Sequence, residues 1–209
     1  CWSLQESKVL TAGGEGGMLT TNNEELAIIA DSIRDHGKEK KYFGDPASDY
    51  SIIRVGNNYR LSELHAAFGL AQINKVESMQ GLRKSHSKYL DKGLCELRGI
   101  SRPRPTSDVT LGYPYYPVRF NQDEFTEDLR AISDALRAEG IIVNMVGEAE
   151  FCAKYPLFRE HCGPAELPIA DRIRKELVVL PLYPDLNSAD LDDIVEAMTK
   201  VVDAYSIPN

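Results

Sequence analysis

Ser3-Leu4-Gln5-Glu6-Ser7-Lys8-Val9-Leu10-Thr11-Ala12-Gly13-Gly14-Glu15-Gly16-Gly17 is the stretch that decides how the chain is read. Four glycines occupy its last five positions, with Glu15 among them. Glycine at that density costs conformational entropy on folding, so it marks positive φ or a close approach of the backbone to a neighbour or ligand. The spacing fits neither GxGxxG opening a helix nor GxxxxGK[ST], which sets aside the dinucleotide-binding and P-loop readings. Lys8 lies beside this turn, among the short polar side chains of Ser3, Ser7 and Thr11. A lysine held near a tight turn and partly desolvated loses proton affinity and can form a Schiff base with a carbonyl compound. The hydroxyls nearby are natural phosphate ligands, while a plain solvated lysine is the ordinary alternative. Glu15 could serve in acid/base chemistry or simply accept backbone hydrogen bonds.

A second cluster, Gly56-Asn57-Asn58-Tyr59-Arg60-Leu61-Ser62-Glu63-Leu64, stands at the junction of a loop and a helix. Its amides and cation read equally as turn and capping chemistry or as groups presented to an anion. Between the two clusters, residues 23–37 predict a helix capped by Asn22 or Asn23, with Glu24 and Glu25 in the first turn and Gly37 closing it. Leu26, Ile29, Ala30 and Ile33 share its apolar face. Residues 38–57 are charged and turn-rich (Gly44, Asp45, Pro46, Ser48). A second helix starts near Ser62, with Leu64, Ala67, Phe68 and Ala71 on one side. Its apolar pattern runs on through Val76 and Met79, past Gly81 and Gly93, to an end at Gly99. Ala66, Ala67 and Gly69 would let a neighbouring backbone come close.

Beyond a proline- and arginine-rich loop at 101–107 the texture changes. Residues 113–120 predict a strand, which Pro114 and Pro117 mark as an edge or irregular one. A helix over 123–139 follows, with Phe125, Leu129, Ile132 and Leu136 on one face, and then strands at 141–146 and 177–180. A last helix buries Leu191, Ile194, Val195, Met198, Val201 and Val202 and is capped by Asn187 or Ser188. The division expected is a remnant of a larger α/β domain over 1–80, a linking helix over 81–99 and a small α+β domain over 100–209. Two amphipathic helices and an opening strand cannot bury their own faces, so they are expected to complete a layer supplied from elsewhere. The opening Cys1-Trp2-Ser3-Leu4 reads as though cut from inside a protein.

Composition narrows the partners. The chain of 209 residues has 43% hydrophobic residues and a formal net charge of -8, which removes the usual electrostatic reason to bind nucleic acid. No apolar run approaches the roughly 20 residues that span a bilayer, so no membrane is expected and the cytoplasm is the default location. Cys1, Cys95, Cys152 and Cys162 are scattered and read as free thiols. His36, His65, His86 and His161 have no metal-site spacing, and no metal is expected.

Residues 3–17 resemble the active-site segment of the DegT/DnrJ/EryC1/StrS family of pyridoxal phosphate dependent aminotransferases. That family's pattern is a serine, four residues, a lysine and a short spacer into Gly-Glu-Gly-Gly; Ser3, Lys8 and Gly14-Glu15-Gly16-Gly17 stand in those places. Leu19-Thr20-Thr21-Asn22 is similar to the family's Thr-Asn turn, and Arg34-Asp35-His36-Gly37 to its Arg-Asn-His-Gly. Asn58-Tyr59-Arg60-Leu61-Ser62-Glu63-Leu64-His65-Ala66-Ala67 is similar to its Asn-Tyr-Arg-Met-x-Glu-x-x-Ala-Ala. Leu167-Pro168-Ile169-Ala170 and Val179-Leu180-Pro181-Leu182-Tyr183-Pro184 match in kind.

The resemblance implies an α/β, fold-type I transferase seen in its C-terminal portion: the end of the large domain plus the small domain. It implies pyridoxal 5'-phosphate as cofactor, with Lys8 as the lysine that holds it and moves the proton and Ser3 on its phosphate. Asn58 would reach the phosphate of a neighbouring subunit, which implies a homodimer with shared active sites. Gln5, Tyr59 and Arg60 would stand near the substrate or behind it. The reaction implied moves an amino group from glutamate or glutamine to a nucleotide-linked keto-sugar or a keto-cyclitol. Sugar dehydration by the same cofactor and a non-catalytic regulatory role are the alternatives. Two departures bear on the acceptor: Gln5 stands where many members have histidine, which resembles the cyclitol branch, and residues 145–155 lack the family's Tyr-Pro-Pro-Leu-His. The family's phosphate loop, ring-stacking aromatic and ring-nitrogen aspartate precede the lysine. The 209 residues alone are therefore expected to be inactive.

Overall fold

A computed structural model describes residues 1–46, 50–102, 108, 109, 111–146, 151–164 and 166–208. Ser48, most of the loop expected at 101–107, and the centre of 145–155 lie outside the described residues. The chain divides into two units, Cys1–Glu77 and Ser78–Asn209.

In the first unit, strand β1 (Trp2–Ser3) pairs antiparallel with β2 (Gly17–Met18). Helix α1 (Glu24–Arg34) starts where Asn23 accepts the Leu26 N–H at 3.0 Å. Helix α2 (Glu63–Ile73) starts where Ser62 accepts the His65 N–H at 3.2 Å. Both caps satisfy amides that the first helical turn leaves without partners. The apolar run after α2 does not form one helix. At Asn74 and Lys75 the chain tightens into a three-residue bond, Lys75 N–H to the Gln72 carbonyl, and α3 (Val76–Leu94) begins beyond it. Helix α3 ends five residues before the expected stop, and Gly99, at φ +71°, turns the chain into the sheet.

This unit closes no core of its own. Among its described apolar side chains only Leu4 and Ala12 are buried, whereas Val55, Leu64, Leu70 and Phe43 are exposed. Its tightest packing is backbone on backbone. A Cβ at Gly37 would stand 1.8 Å from the Arg54 carbonyl oxygen, and one at Gly56 only 2.3 Å from the Gly37 nitrogen. Only glycine fits where these two segments meet.

The second unit carries a four-stranded antiparallel sheet in the order β3 (Ile100–Ser101), β4 (Tyr116–Phe120), β6 (Leu177–Leu180), β5 (Asn144–Met145). Tyr116, Val118 and Phe120 of β4 and Val178 and Leu180 of β6 are buried on one face. Against that face pack α4 (Leu129–Ala138), through Leu129, Ile132 and Leu136, and α7 (Ser188–Tyr205), through Leu191, Ile194, Met198, Val201 and Val202. Asn187 caps α7 in a reciprocal box with Asp190. Gly93 of α3 faces Val195 of α7 so closely that a Cβ would lie 2.6 Å from a valine methyl.

Several expectations need correction here. Strand β4 is central, not an edge. Phe120 and Asn121 donate to Glu176 and Gly99 on opposite sides, so by alternation the Pro117 nitrogen faces the β3 side. There β3 pairs only with Phe120 and Arg119, and the missing N–H breaks no ladder bond. The helix expected at 123–139 begins only at Leu129. Phe125 reaches the core from extended backbone, its ring 5.4 Å from that of Phe120, and Asp128 caps α4. The strand at 141–146 pairs only over Asn144–Met145, although Ile141 and Val143 are buried. Strand β3, helix α5 (Pro156–Cys162) and helix α6 (Pro168–Arg174) were not expected.

Candidate active site

The loop between β1 and β2 carries Lys8. It folds back across its own base: Leu4 N–H donates to the Gly16 carbonyl at 2.9 Å, and Ala12 N–H to the Leu4 carbonyl at 2.8 Å. Gln5 and Gly14 are bridged alongside. The turn before Lys8 is held by the Gln5 side chain, whose Oε1 accepts from Ser7 N–H at 2.9 Å and from Ser7 Oγ at 2.5 Å. Lys8 N–H then donates to the Gln5 carbonyl at 2.9 Å. Gln5 therefore shapes the loop. Thr11 does the same on the far side, accepting from Gly13 N–H at 3.0 Å.

The glycines are explained mainly by close approach. Gly13 alone among the four has positive φ, +80°. A Cβ there would meet the Phe68 ring at 3.2 Å, and one on Gly14 would meet His65 Nε2 at 3.2 Å, so the turn lies against α2. The result is a cavity of about 530 Å³ lined by Ser3, Lys8, Leu61, His65, Gly69 and Ile73 among others. Lys8 is exposed rather than partly desolvated in this chain, and among the described residues nothing pairs with its ammonium group. The Ser3 hydroxyl accepts a long bond from Gln5 N–H at 3.5 Å and keeps its own proton to donate. Ser3 and Lys8 both line this almost wholly apolar cavity, and each keeps a group of the kind that a phosphorylated aldehyde requires, a hydroxyl donor and a free primary amine. These residues fit pyridoxal phosphate.

The second cluster closes the C-terminus of α1. Asn57 N–H donates to the Ile33 carbonyl and Tyr59 N–H to the Arg34 carbonyl, both at 2.9 Å, while the Asn57 carbonyl accepts from His36 N–H at 3.0 Å. These bonds serve helix carbonyls that lack intrahelical partners. Arg60 is engaged with Asp35 at 2.6 Å, and Lys38 and Lys40 reach the other oxygen of that carboxylate at 3.1 and 3.2 Å. Burial pushes the Asp35 carboxyl up, but the bonds from Lys38, Lys40 and Arg60 outweigh it and hold the group down at about 2. Arg60 is therefore tied to the end of α1 through Asp35. The backbone docking leaves the side chains of Asn58 and Tyr59 exposed, and among the described residues neither makes a hydrogen bond. Glu15 is exposed. No cluster of histidine, cysteine and carboxylate suited to a metal occurs among the described residues, and the four cysteines are free.

A sequence profile of the DegT/DnrJ/EryC1/StrS aminotransferases matches residues 1–199. The chain belongs to that family. The family is one of pyridoxal phosphate dependent aminotransferases. A UDP-2-acetamido-2-deoxy-3-oxo-D-glucuronate aminotransferase of Pseudomonas aeruginosa is 30% identical over 95% of this chain and 50% of its own length. The spore coat polysaccharide biosynthesis protein SpsC of Bacillus subtilis is 27% identical over 91% of this chain and 50% of its own. Among solved structures, an aminotransferase from Psychrobacter cryohalolentis superposes with a TM-score of 0.81 at 22% identity, covering 97% of this chain and 55% of that one. This DegT/DnrJ/EryC1/StrS chain thus has the fold of a fold-type I transferase and spans about half the length of the curated relatives it matches.

His65 is the residue that sequence reading left without a role. His65, Ala66, Gly69, Leu70 and Ile73 form one stripe of α2, and that stripe lines the Lys8 cavity together with Leu61, just before the helix. The spacing was visible in the sequence, but the side of α2 chosen there was the opposite one, through Leu64, Ala67 and Phe68.

Proposed function

We propose that the protein containing this chain transfers an amino group from glutamate or glutamine to a nucleotide-linked keto-sugar or a keto-cyclitol, using pyridoxal phosphate. The observation that carries the reading is the shared cavity of Ser3 and Lys8, with the lysine amine free. Lys8 would hold the cofactor through Nζ, and Ser3 would donate its hydroxyl proton to the phosphate. Lys8 Nζ would also act as the base at the substrate α-carbon. The bound cofactor supplies the electron sink that makes the proton there acidic. Gln5 fixes the loop through Ser7 and so sets where Lys8 stands.

The exposed amide of Asn58 supports a homodimer in which Asn58 serves the partner's phosphate site, with Tyr59 beside it. The acceptor class rests on two relatives: one named for spore coat polysaccharide biosynthesis, the other for aminating an oxo-sugar nucleotide. No helix among the described residues is long and apolar enough to cross a membrane. The test is transamination by the protein expressed from its complete reading frame, with glutamate and glutamine offered against keto-sugar nucleotides and inosose-type cyclitols. Amination by wild type and its loss in Lys8→Ala are expected. Turnover that survives Lys8→Ala would overturn the reading.

A further inference from the structure

We propose that Thr11 is a positioning residue whose hydroxyl fixes the span between Ser3 and Lys8. This deepens the aminotransferase reading and rests on it. Of the hydroxyls of Ser3, Ser7 and Thr11 around Lys8, the last two are spent inside the loop itself. Ser7 gives its proton to Gln5 Oε1 at 2.5 Å, and Thr11 gives its proton to the Leu4 carbonyl at 3.4 Å. A hydroxyl has a single proton to donate, so neither has one left for a phosphate, whereas Ser3 keeps its own. Thr11 therefore acts on the cofactor only through the residues that it ties together.

Those residues bracket the two cofactor groups. The Leu4 carbonyl accepts both the Thr11 hydroxyl and the Ala12 N–H, the latter at 2.8 Å. This joint closes residues 4–12 into a ring of chain, with Lys8 at its midpoint and Ser3 immediately outside it. Ala12 is fully buried and Thr11 half-buried, so the joint is packed and not frayed by solvent. Thr11 Oγ1 also accepts from Gly13 N–H at 3.0 Å, which holds the glycine that turns the chain at φ +80°. One side chain thus links the residue after Ser3 to the turn that follows Lys8. An aldehyde held at Lys8 and, through a phosphate, at Ser3 binds best where that span is preset, because ordering the loop on binding costs affinity. An aldehyde without the phosphate is held at Lys8 alone and is indifferent to the span.

The experiment titrates the protein expressed from its complete reading frame with pyridoxal 5'-phosphate and, separately, with pyridoxal. The visible absorption band gives each Kd, and borohydride reduction with peptide mass locates the adduct, in wild type, Thr11→Val and Thr11→Ser. Thr11→Val keeps the shape of the side chain, and Gly13, whose N–H loses its partner, is exposed to water. Thr11→Val should raise the Kd for pyridoxal phosphate about fivefold, the effect of one hydrogen bond, and leave that for pyridoxal within about twofold. Thr11→Ser, which keeps the hydroxyl, should stay within about twofold of wild type for both aldehydes. An equal loss for the two aldehydes, an unchanged Kd for pyridoxal phosphate in Thr11→Val, or a Thr11→Ser that falls as far as Thr11→Val would overturn the assignment. A wild type in which pyridoxal phosphate forms no adduct at Lys8 would overturn the cofactor reading itself, and this inference with it.

Discussion

Gly56→Ala should unfasten the two motifs that flank the exposed Asn58. The new methyl group would stand 2.3 Å from the Gly37 nitrogen and 2.7 Å from the Ile33 carbonyl oxygen, both backbone atoms that cannot rotate away. Restoring ordinary contact parts the two segments by about 1 Å. The bonds from Asn57 N–H to Ile33 and from Tyr59 N–H to Arg34, now 2.9 Å, would then be too long to count. Overpacking of this kind costs about 1–3 kcal/mol, and each of the two lost backbone bonds adds about 1 kcal/mol, so a total of about 3–5 kcal/mol is expected. The assay is urea unfolding together with hydrogen exchange at Asn57 and Tyr59. Gly81→Ala is the control: it sits in α3 with nothing within 4 Å, and it should be neutral or stabilise by up to about 1 kcal/mol. A Gly56→Ala chain with wild-type stability, or with both amides still protected, would refute the reasoning.

Two further outcomes follow from the packing and the charges. The Asp35 carboxyl is held below its ordinary value of 3.8, so its contribution is fully present above that value and is lost as pH falls towards about 2. Denaturation of wild type and Asp35→Asn across that window should show the wild type losing its advantage; a gap that does not change with pH would contradict the network. Gly93→Ala should destabilise the second unit by about 1–3 kcal/mol through its clash with Val195, and Val195→Ala should relieve most of that cost. Purely additive effects in the double variant would show that the two helices do not meet there.

The elements read most reliably from sequence are those with both a cap and a periodic face: α1 after Asn23, α2 after Ser62 and α7 after Asn187. The failures have physical causes. Phe125 falls on the helical period of Leu129 and Ile132, yet it fills the core from extended backbone that a capping Asp128 brings to an end. Pro117 suggested an edge because its missing N–H was weighed without knowing how short β3 is. Helices α5 and α6 each begin with a proline at the first turn, a signal that was present in Pro156 and Pro168 and passed over. In the site, Lys8 and Ser3 stood out because the glycines after them are so dense. The ion pair of Arg60 with Asp35 was not legible because the two lie 25 positions apart in the chain.

The central claim is that Lys8 is the cofactor-bearing residue. The purified protein should be mixed with pyridoxal phosphate, its absorbance recorded, the complex reduced with borohydride and the modified residue located by peptide mass. A visible absorption band, with the reduced adduct confined to Lys8, is the result predicted. Labelling spread over surface lysines, or an adduct on a lysine other than Lys8, would contradict it.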